Sequence, residues 1–479
     1  MLFNSMAFAF FLPIVFIIYW SLPHKFRWVL LLAASYYFYM SWNAKYVFLI
    51  LFTTIISYAA AVLMERSEHR RQKKWILAGT AILCLGVLFF FKYYNFVSES
   101  VANLLRLFAI PLRPLTVKLL LPVGISFYTF QTLSYVIDVY RGDVRAERHF
   151  GHYAAFISFF PQLVAGPIER TNNLLPQIKA VHEFNYDQAT YGLKLMAWGY
   201  FKKIVIADTL CAYVDRVYGA PREFQGFALV LATVFFTLQI YCDFSGYSDI
   251  AIGTAKLMGI NLMTNFRSPY FSQSIKEFWS RWHISLSTWF RDYVYIPLGG
   301  NRVRRFRHAI NLMITFLASG LWHGANWTFV VWGGIHGAAQ VVENALIPRE
   351  KRSSRGIVRW LRILAVFTFC TLAWVFFVSD SIGDAFYVFG HLFDGISSPV
   401  RYLKDGFMNI SMGEQELLMV AFCVLLLSIF DLLSLKRDVI EMVSRKGMVT
   451  RWLIYILFLL IIVFFSQKGI AAEFVYFQF

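Results

Sequence analysis

The sequence predicts an all-α polytopic membrane protein. Three observations carry this. Of 479 residues, 58% are hydrophobic and 15% charged, with mean hydropathy +0.55. Several stretches run for roughly 18–20 apolar residues, the length that crosses a bilayer as helix. The basic residues gather in short loops between those stretches rather than across the chain. Read in order, apolar segments fall near 6–20, 28–42, 46–64, 75–91, 226–242, 310–324, 327–346, 357–379, 416–434 and 452–468. The first has no basic n-region and no small-residue cleavage site, so it reads as a retained helix.

Further segments near 117–140, 150–168 and 190–207 are apolar but broken by Pro, Gly or charge. "LLPVGISFYTFQTLSYVIDVY" (120–140) holds Pro122, Gly124, Gln131 and Asp138; "FFPQLVAGPIER" (159–170) is interrupted at Pro161 and at Gly166-Pro167. Irregular backbone at membrane depth survives only when buried in protein or lining a wet cavity. Both segments therefore read as discontinuous or re-entrant helices around a cavity. No repeat, low-complexity linker or soluble domain is evident. The chain reads as one membrane domain, 1–479. It has peripheral helices over about 1–115, a core over about 116–346, and C-terminal helices over about 357–472 ending in a tail, 474–479.

Forty-five basic against 28 acidic residues give a net charge of +17. In a soluble chain that balance would suggest nucleic acid. Here the charge lies in "PHKFR" (23–27), "ERSEHRRQKK" (65–74), "NRVRRFRH" (301–308), "PREKRSSRGIVRWLR" (348–362) and "KRDVIEMVSRKGMVTR" (436–451), a positive-inside pattern that argues against nucleic acid as a partner. With these loops cytoplasmic, both termini face outward. The five cysteines stand singly in apolar segments, which indicates neither disulfide nor metal site.

His323 interrupts the apolar run in "GLWHGANWTF" (320–329). A helix from Ile310 reaches it after roughly 20 Å. The segments before and after it each lead back to a basic loop, so the pair reads as a hairpin open to the cytoplasm, with His323 near its turn. An ionisable residue at that depth is a functional-site hypothesis, and neutral imidazole suits general-base work. Trp322 and Asn326 beside it suggest a shaped, polar pocket. In "EFWSRWHISLSTWFRDYVYIPLGGNR" (277–302), His283 lies among alternating aromatics and charges, more interfacial than spanning. Gly299 and Gly300 permit a tight turn close to a ligand, and Arg302 and Arg304 after it could bind phosphates or simply contact anionic lipid. Asp243 and Asp249 in "QIYCDFSGYSDIAIG" (239–253) require partners, such as Arg281 or Arg291, or a histidine to orient. The sequence holds no GxSxG elbow, P-loop or metal-spaced His/Cys set.

"WFRDYVYIPLGGNR" (289–302) followed by "SGLWHGANWTFVVWGGIHG" (319–337) resembles the membrane-bound O-acyltransferase (MBOAT) family, in its bacterial branch that acetylates exported polysaccharides such as alginate. "LPVGISFYTFQTLSYVIDVYRG" (121–142), "FFPQLVAGPIER" and "YCDFSGYSDIAIG" (241–253) resemble that branch as well. The resemblance implies a ring of helices around a central funnel, cytoplasmic acetyl-CoA as donor and no permanently bound cofactor. It also implies a bacterial inner-membrane location, and an extracytoplasmic SGNH-type partner that delivers acetyl to the polysaccharide. The family's key histidine falls on His323, and its second polar position, Asn or His, on His283. The tail "EFVYFQF" (473–479) contains Phe474, Tyr476 and Phe479 spaced F-x-Y-x-x-F. This is similar to the C-terminus of a small subunit in teichoic-acid D-alanylation, which implies that Tyr476 carries the acyl group. Without that resemblance the tail reads as an aromatic belt. Broken helices and buried polar groups also fit a transporter, or a polymer-export scaffold without acyl transfer.

Overall fold

The computed structural model describes residues 1–118, 120–164, 166–347, 354–466 and 474–475. The structured segments are helical. The chain forms two compact units, Met1–Leu193 with Ala251–Met263, and Lys194–Ile250 with Thr264–Phe479. Of the three boundaries between them, those at 193/194 and 250/251 fall inside helices and that at 263/264 in a loop, so no linker or shift in composition marks them in the sequence.

In the first unit, α1 (Met6–Ser21) starts where the Ser5 side chain caps the Phe8 N–H. It packs on α2 (His24–Met40) through rings of Phe8, Phe11 and Phe38. Next come α3 (Val47–Arg66) and α4 (Arg70–Leu88), which passes through a π-helical turn into α5 (Tyr94–Leu107). Then α6 (Ile125–Arg141) begins directly after Gly124. That glycine is left-handed, φ 73°, and a Cβ on it would stand 2.6 Å from the Leu163 carbonyl oxygen, so no larger residue fits.

The expected break near Pro161 is present, and polar side chains fill it. Here α7 (Phe150–Ser158) stops at Phe159, and α8 (Phe160–Leu163) restarts with Pro161 in its first turn. The freed Phe156 carbonyl accepts from Gln131 at 2.9 Å and from Gln162 at 3.0 Å, while Gln162 also donates to Gln131 Oε1 at 2.9 Å. The Phe160 N–H donates to Ser35 Oγ at 3.0 Å. These bonds replace the water that a bilayer cannot supply. After α9 (Thr171–Lys179), α10 (Tyr186–Tyr200) leads out of this unit. Glu169 accepts the Met263 N–H and the Asn173 amide, which fastens the returning segment 251–263.

In the second unit, a π-helical turn (Phe201–Ala207) leads to α11 (Asp208–Tyr218) and to the 31-residue α12 (Phe227–Leu257), whose last turns belong to the first unit. Two seven-residue helices follow, α13 (Ile275–Arg281) and α14 (Ile284–Phe290). They are far too short to span, as their mixed aromatic and charged composition implies. The remaining helices are α15 (Arg305–His323), α16 (Trp327–Leu346), α17 (Gly356–Val378), α18 (Ile382–His391), α19 (Pro399–Ile410), α20 (Glu414–Ser434), α21 (Val439–Ser444) and α22 (Met448–Phe465). Buried Trp282, Trp332 and Trp374 dominate the core.

Among the described residues, six helical stretches are long and apolar enough to cross a membrane: Ala44–Arg66, Arg70–Leu107, Phe227–Leu257, Gly356–Val378, Glu414–Ser434 and Met448–Phe465. The segments read near 6–20, 28–42, 310–324 and 327–346 do form helices. However, α1 and α2 have only 16 and 17 residues, and α15 and α16 are diluted by polar groups. The spans differ in surroundings. On α22 no residue of the apolar window is fully buried, although Phe458 packs on Trp198 and Phe201; on α12, 78% of it is buried, and that helix carries Thr237, Gln239, Asp243, Ser245 and Ser248 inside the protein.

Candidate active site

The second unit contains the site. Helices α15 and α16 form the hairpin expected from the sequence, joined by Gly324–Asn326. They touch backbone to backbone: a Cβ on Gly320 would lie 2.3 Å from the Phe329 carbonyl oxygen, and one on Gly333 would lie 2.4 Å from that of Phe316. Small residues at such contacts let membrane helices approach closely. The turn is fixed by Asn326, whose Oδ1 accepts from the Thr328 N–H at 3.1 Å and whose Nδ2 donates to the Asp380 carbonyl at 2.8 Å.

His323 is the last residue of α15 and is 2% exposed. Edge-to-face rings surround it: Trp322 and Trp332 at 5.0 Å and Phe377 at 5.4 Å. Each is at a favourable aromatic distance. The imidazole is thus held by packing on helical neighbours, not by a mobile loop.

His283 reaches the same place from a different element. It joins α13 to α14 in a left-handed conformation, φ 42° and ψ 54°, and is fully buried. A non-glycine residue there is uncommon and is tolerated only where neighbours hold it. The Trp282 N–H donates to Phe278 at 2.8 Å, the Ile284 N–H to Asn265 at 2.9 Å, and Ser285 Oγ to Asn265 Oδ1 at 2.7 Å. The result is a pair of imidazoles with ring centroids 6.2 Å apart. That separation lets two side chains address one reacting centre, each at about 3 Å. Phe244 of α12 meets the His283 ring edge-to-face at 4.5 Å.

Not every expected site residue joins this pair. Trp322 does, 5.8 Å from His283. Both polar ends of Asn326 are used by the turn. Arg302 and Arg304 are exposed near the opposite end of α15, a helix about 27 Å long. Gly299 and Gly300 are left-handed, φ 106° and 56°, and their turn is tied from inside by Asn311, which donates to the Leu298 and Gly300 carbonyls at 3.1 Å. Their conformation therefore accounts for the glycines without a ligand. Tyr476 lies outside the described residues.

The expected arginine partners of the aspartates are corrected. Asp243 pairs with Lys203 at 2.7 Å and Asp249 with Lys202 at 2.7 Å, whereas Arg281 pairs with Glu277 and Arg291 with Asp292. The two lysines ride on the π-helical turn, which turns both into the unit interior. Their only sequence signal is "FKK" (201–203), a charged doublet inside an apolar segment. Also unforeseen is His336, fully buried on α16 one turn beyond Trp332. Its Nδ1 accepts from Trp279 Nε1 at 3.3 Å. Among the described residues, no three His, Cys, Asp or Glu side chains come together as metal ligands.

The profile of MBOAT, the membrane-bound O-acyltransferase family, matches residues 144–380. Relatives extend the match across most of the chain. It is 40% identical over 398 residues to a protein named "Probable alginate O-acetylase AlgI" of Azotobacter vinelandii, covering 82% of this chain and 78% of that one. It is 35% identical over 418 residues to the peptidoglycan O-acetyltransferase of Helicobacter pylori, covering 80% and 78%. To the teichoic acid D-alanyltransferase of Streptococcus thermophilus it is 30% identical over 287 residues, covering 55% and 69%. The chain belongs to the membrane-bound O-acyltransferase family and is an acyltransferase. Membership decides against the transporter and scaffold readings that broken helices alone left open.

Proposed function

We propose that this enzyme moves acetyl from cytoplasmic acetyl-CoA to the outer face of a bacterial inner membrane for O-acetylation of an exported polysaccharide. The carrying observation is the buried pair His283–His323 at 6.2 Å. The two come from separate helical elements, and one is held in a strained backbone. Such preorganisation of titratable groups suits catalysis more than packing.

In this reading the donor's phosphates meet Arg302 and Arg304 at the cytoplasmic end of α15, with the positive-inside distribution in support. The thioester lies about one helix length away, at His323. The Tyr476 phenol oxygen attacks the thioester carbonyl carbon while His323 accepts the phenolic proton. His283 stabilises the oxyanion of the tetrahedral intermediate. The carbon–sulfur bond breaks, and the departing CoA thiolate takes the proton from His323. Acetyl-Tyr476 then passes its group to the serine of an SGNH-type partner, which delivers it to a polymer hydroxyl. Donor and partner reach the pair from opposite membrane faces, as the funnel implied by the resemblance requires, with both chain termini extracytoplasmic. The relatives are named for alginate, peptidoglycan and teichoic acid, and the choice of polymer is therefore assigned to the partner.

His323→Ala tests the proposal. Purified variant, partner and acetyl-CoA should give no polymer acetylation, with the protein still folded and inserted. Retained turnover in that variant would sink the mechanism.

A further inference from the structure

Phe474 and Val475 are 1% and 4% exposed. The Val475 backbone N–H donates to Asp243 Oδ2 at 2.7 Å. Asp243 Oδ1 meets Lys203 Nζ at 2.7 Å, and the same ammonium meets Asp208 Oδ1 at 2.8 Å. None of these three side chains is more than 3% exposed. Carboxylates buried this deeply are tolerated only if paired and hydrogen-bonded. The backbone N–H of the tail supplies a further donor to Asp243.

The contact also has a direction. Asp243, Phe244 and Tyr247 lie within just over one turn of α12. Phe474 packs on Tyr247 at 4.7 Å and on Phe244 at 5.7 Å, and Phe244 lies against His283 at 4.5 Å. The tail is thus separated from the histidine pair by one ring.

We propose that Asp243, held by Lys203 and Asp208, is the socket for the enzyme's own C-terminal tail and positions Tyr476 for acylation. This rests on the relay reading above. Asp243 is a positioning residue: it holds the amide of Val475, the residue that precedes Tyr476 in the sequence. Lys203 fixes one oxygen of Asp243 at 2.7 Å, which leaves the other aimed at the Val475 amide.

Two variants test the socket separately from the relay. Val475→Pro removes the amide hydrogen but leaves the buried charges intact. It should slow acetyl transfer about tenfold or more, the effect of losing a hydrogen bond to a charged group, with wild-type yield and melting temperature. Val475→Ala, which keeps the amide, should work as wild type. Separately, Val475→Cys in a Cys211→Ser background reports tail seating by maleimide labelling, since the other four cysteines are buried. Adding Asp243→Asn should raise labelling about tenfold or more. Should Asp243→Asn prove too unstable to isolate, Val475→Pro decides alone. Labelling that rises while wild-type Tyr476 never acquires an acetyl mass increment supports the socket and removes the relay. Unchanged labelling in folded Asp243→Asn, or wild-type turnover in Val475→Pro, overturns the socket.

Discussion

Replacing Gly320 with alanine isolates the geometry of the site from its chemistry. The added Cβ would lie 2.3 Å from the Phe329 carbonyl oxygen, which is main chain of α16 and cannot rotate away. Ordinary carbon–oxygen contact needs about 3.4 Å, so the hairpin must open by about 1 Å. Overpacking of this kind costs about 1–3 kcal/mol, and the better helix propensity of alanine offsets about 1 kcal/mol. The net loss of stability is therefore at most about 2 kcal/mol, and the variant should fold and insert. His323 sits three residues further along the same helix and moves with it. A displacement near 1 Å at a catalytic group costs about 100-fold in rate. Gly334→Ala is the control, because its Cβ would meet only Leu317 Cδ2 at 3.6 Å. Both variants should be purified in detergent, melted, and assayed for acetyl transfer with the partner. Gly320→Ala should lose about 100-fold in turnover and a few degrees in melting temperature, and Gly334→Ala neither. Full turnover in Gly320→Ala, or an equal loss in Gly334→Ala, would refute the reasoning.

Two further outcomes follow from the described contacts. His336→Phe keeps an aromatic ring but deprives Trp279 Nε1 of its acceptor, so it should lower stability by about 1–3 kcal/mol without changing turnover per folded molecule; a stable but inactive variant would move His336 into the reaction. At Glu147, burial raises the carboxyl pKa, but the Lys179 ammonium at 2.7 Å and the His149 backbone N–H overcome it and hold the group below its ordinary value of 4.5. Its stabilisation is complete above that value and is lost as pH falls through the lower folded-state pKa. Melting curves of wild type and Glu147→Gln should therefore differ at pH 7 and converge in acid, and a gap independent of pH would count against the pair.

The legible parts of the molecule were those written in local pattern. Apolar runs marked the helices, "GLWHGANWTF" marked a hairpin turn with a histidine beside it, and Pro161 marked a break. The illegible parts depended on contacts distant in sequence. Nothing local says that Gln131 would satisfy the carbonyl freed at Phe156, or that Lys203 would take Asp243. Arg281 and Arg291 were the partners that the sequence suggested. The lysine wins because a π-helical turn aims it inward, and such a turn has no compositional signature. His283 was legible as a candidate, but its left-handed backbone was not, since histidine gives no warning of positive φ.

Composition and periodicity by themselves determined a helical membrane protein with basic loops, and motif spacing determined the family's reaction class. These are properties of nearest neighbours and of the bilayer, which acts on every residue alike. Only the tertiary structure decided that His283 and His323 face each other at 6.2 Å, and that Val475 is bonded to Asp243 across 232 residues of chain. The reason is physical. A buried polar group must find its partner wherever the fold brings one, and sequence distance has no part in that choice.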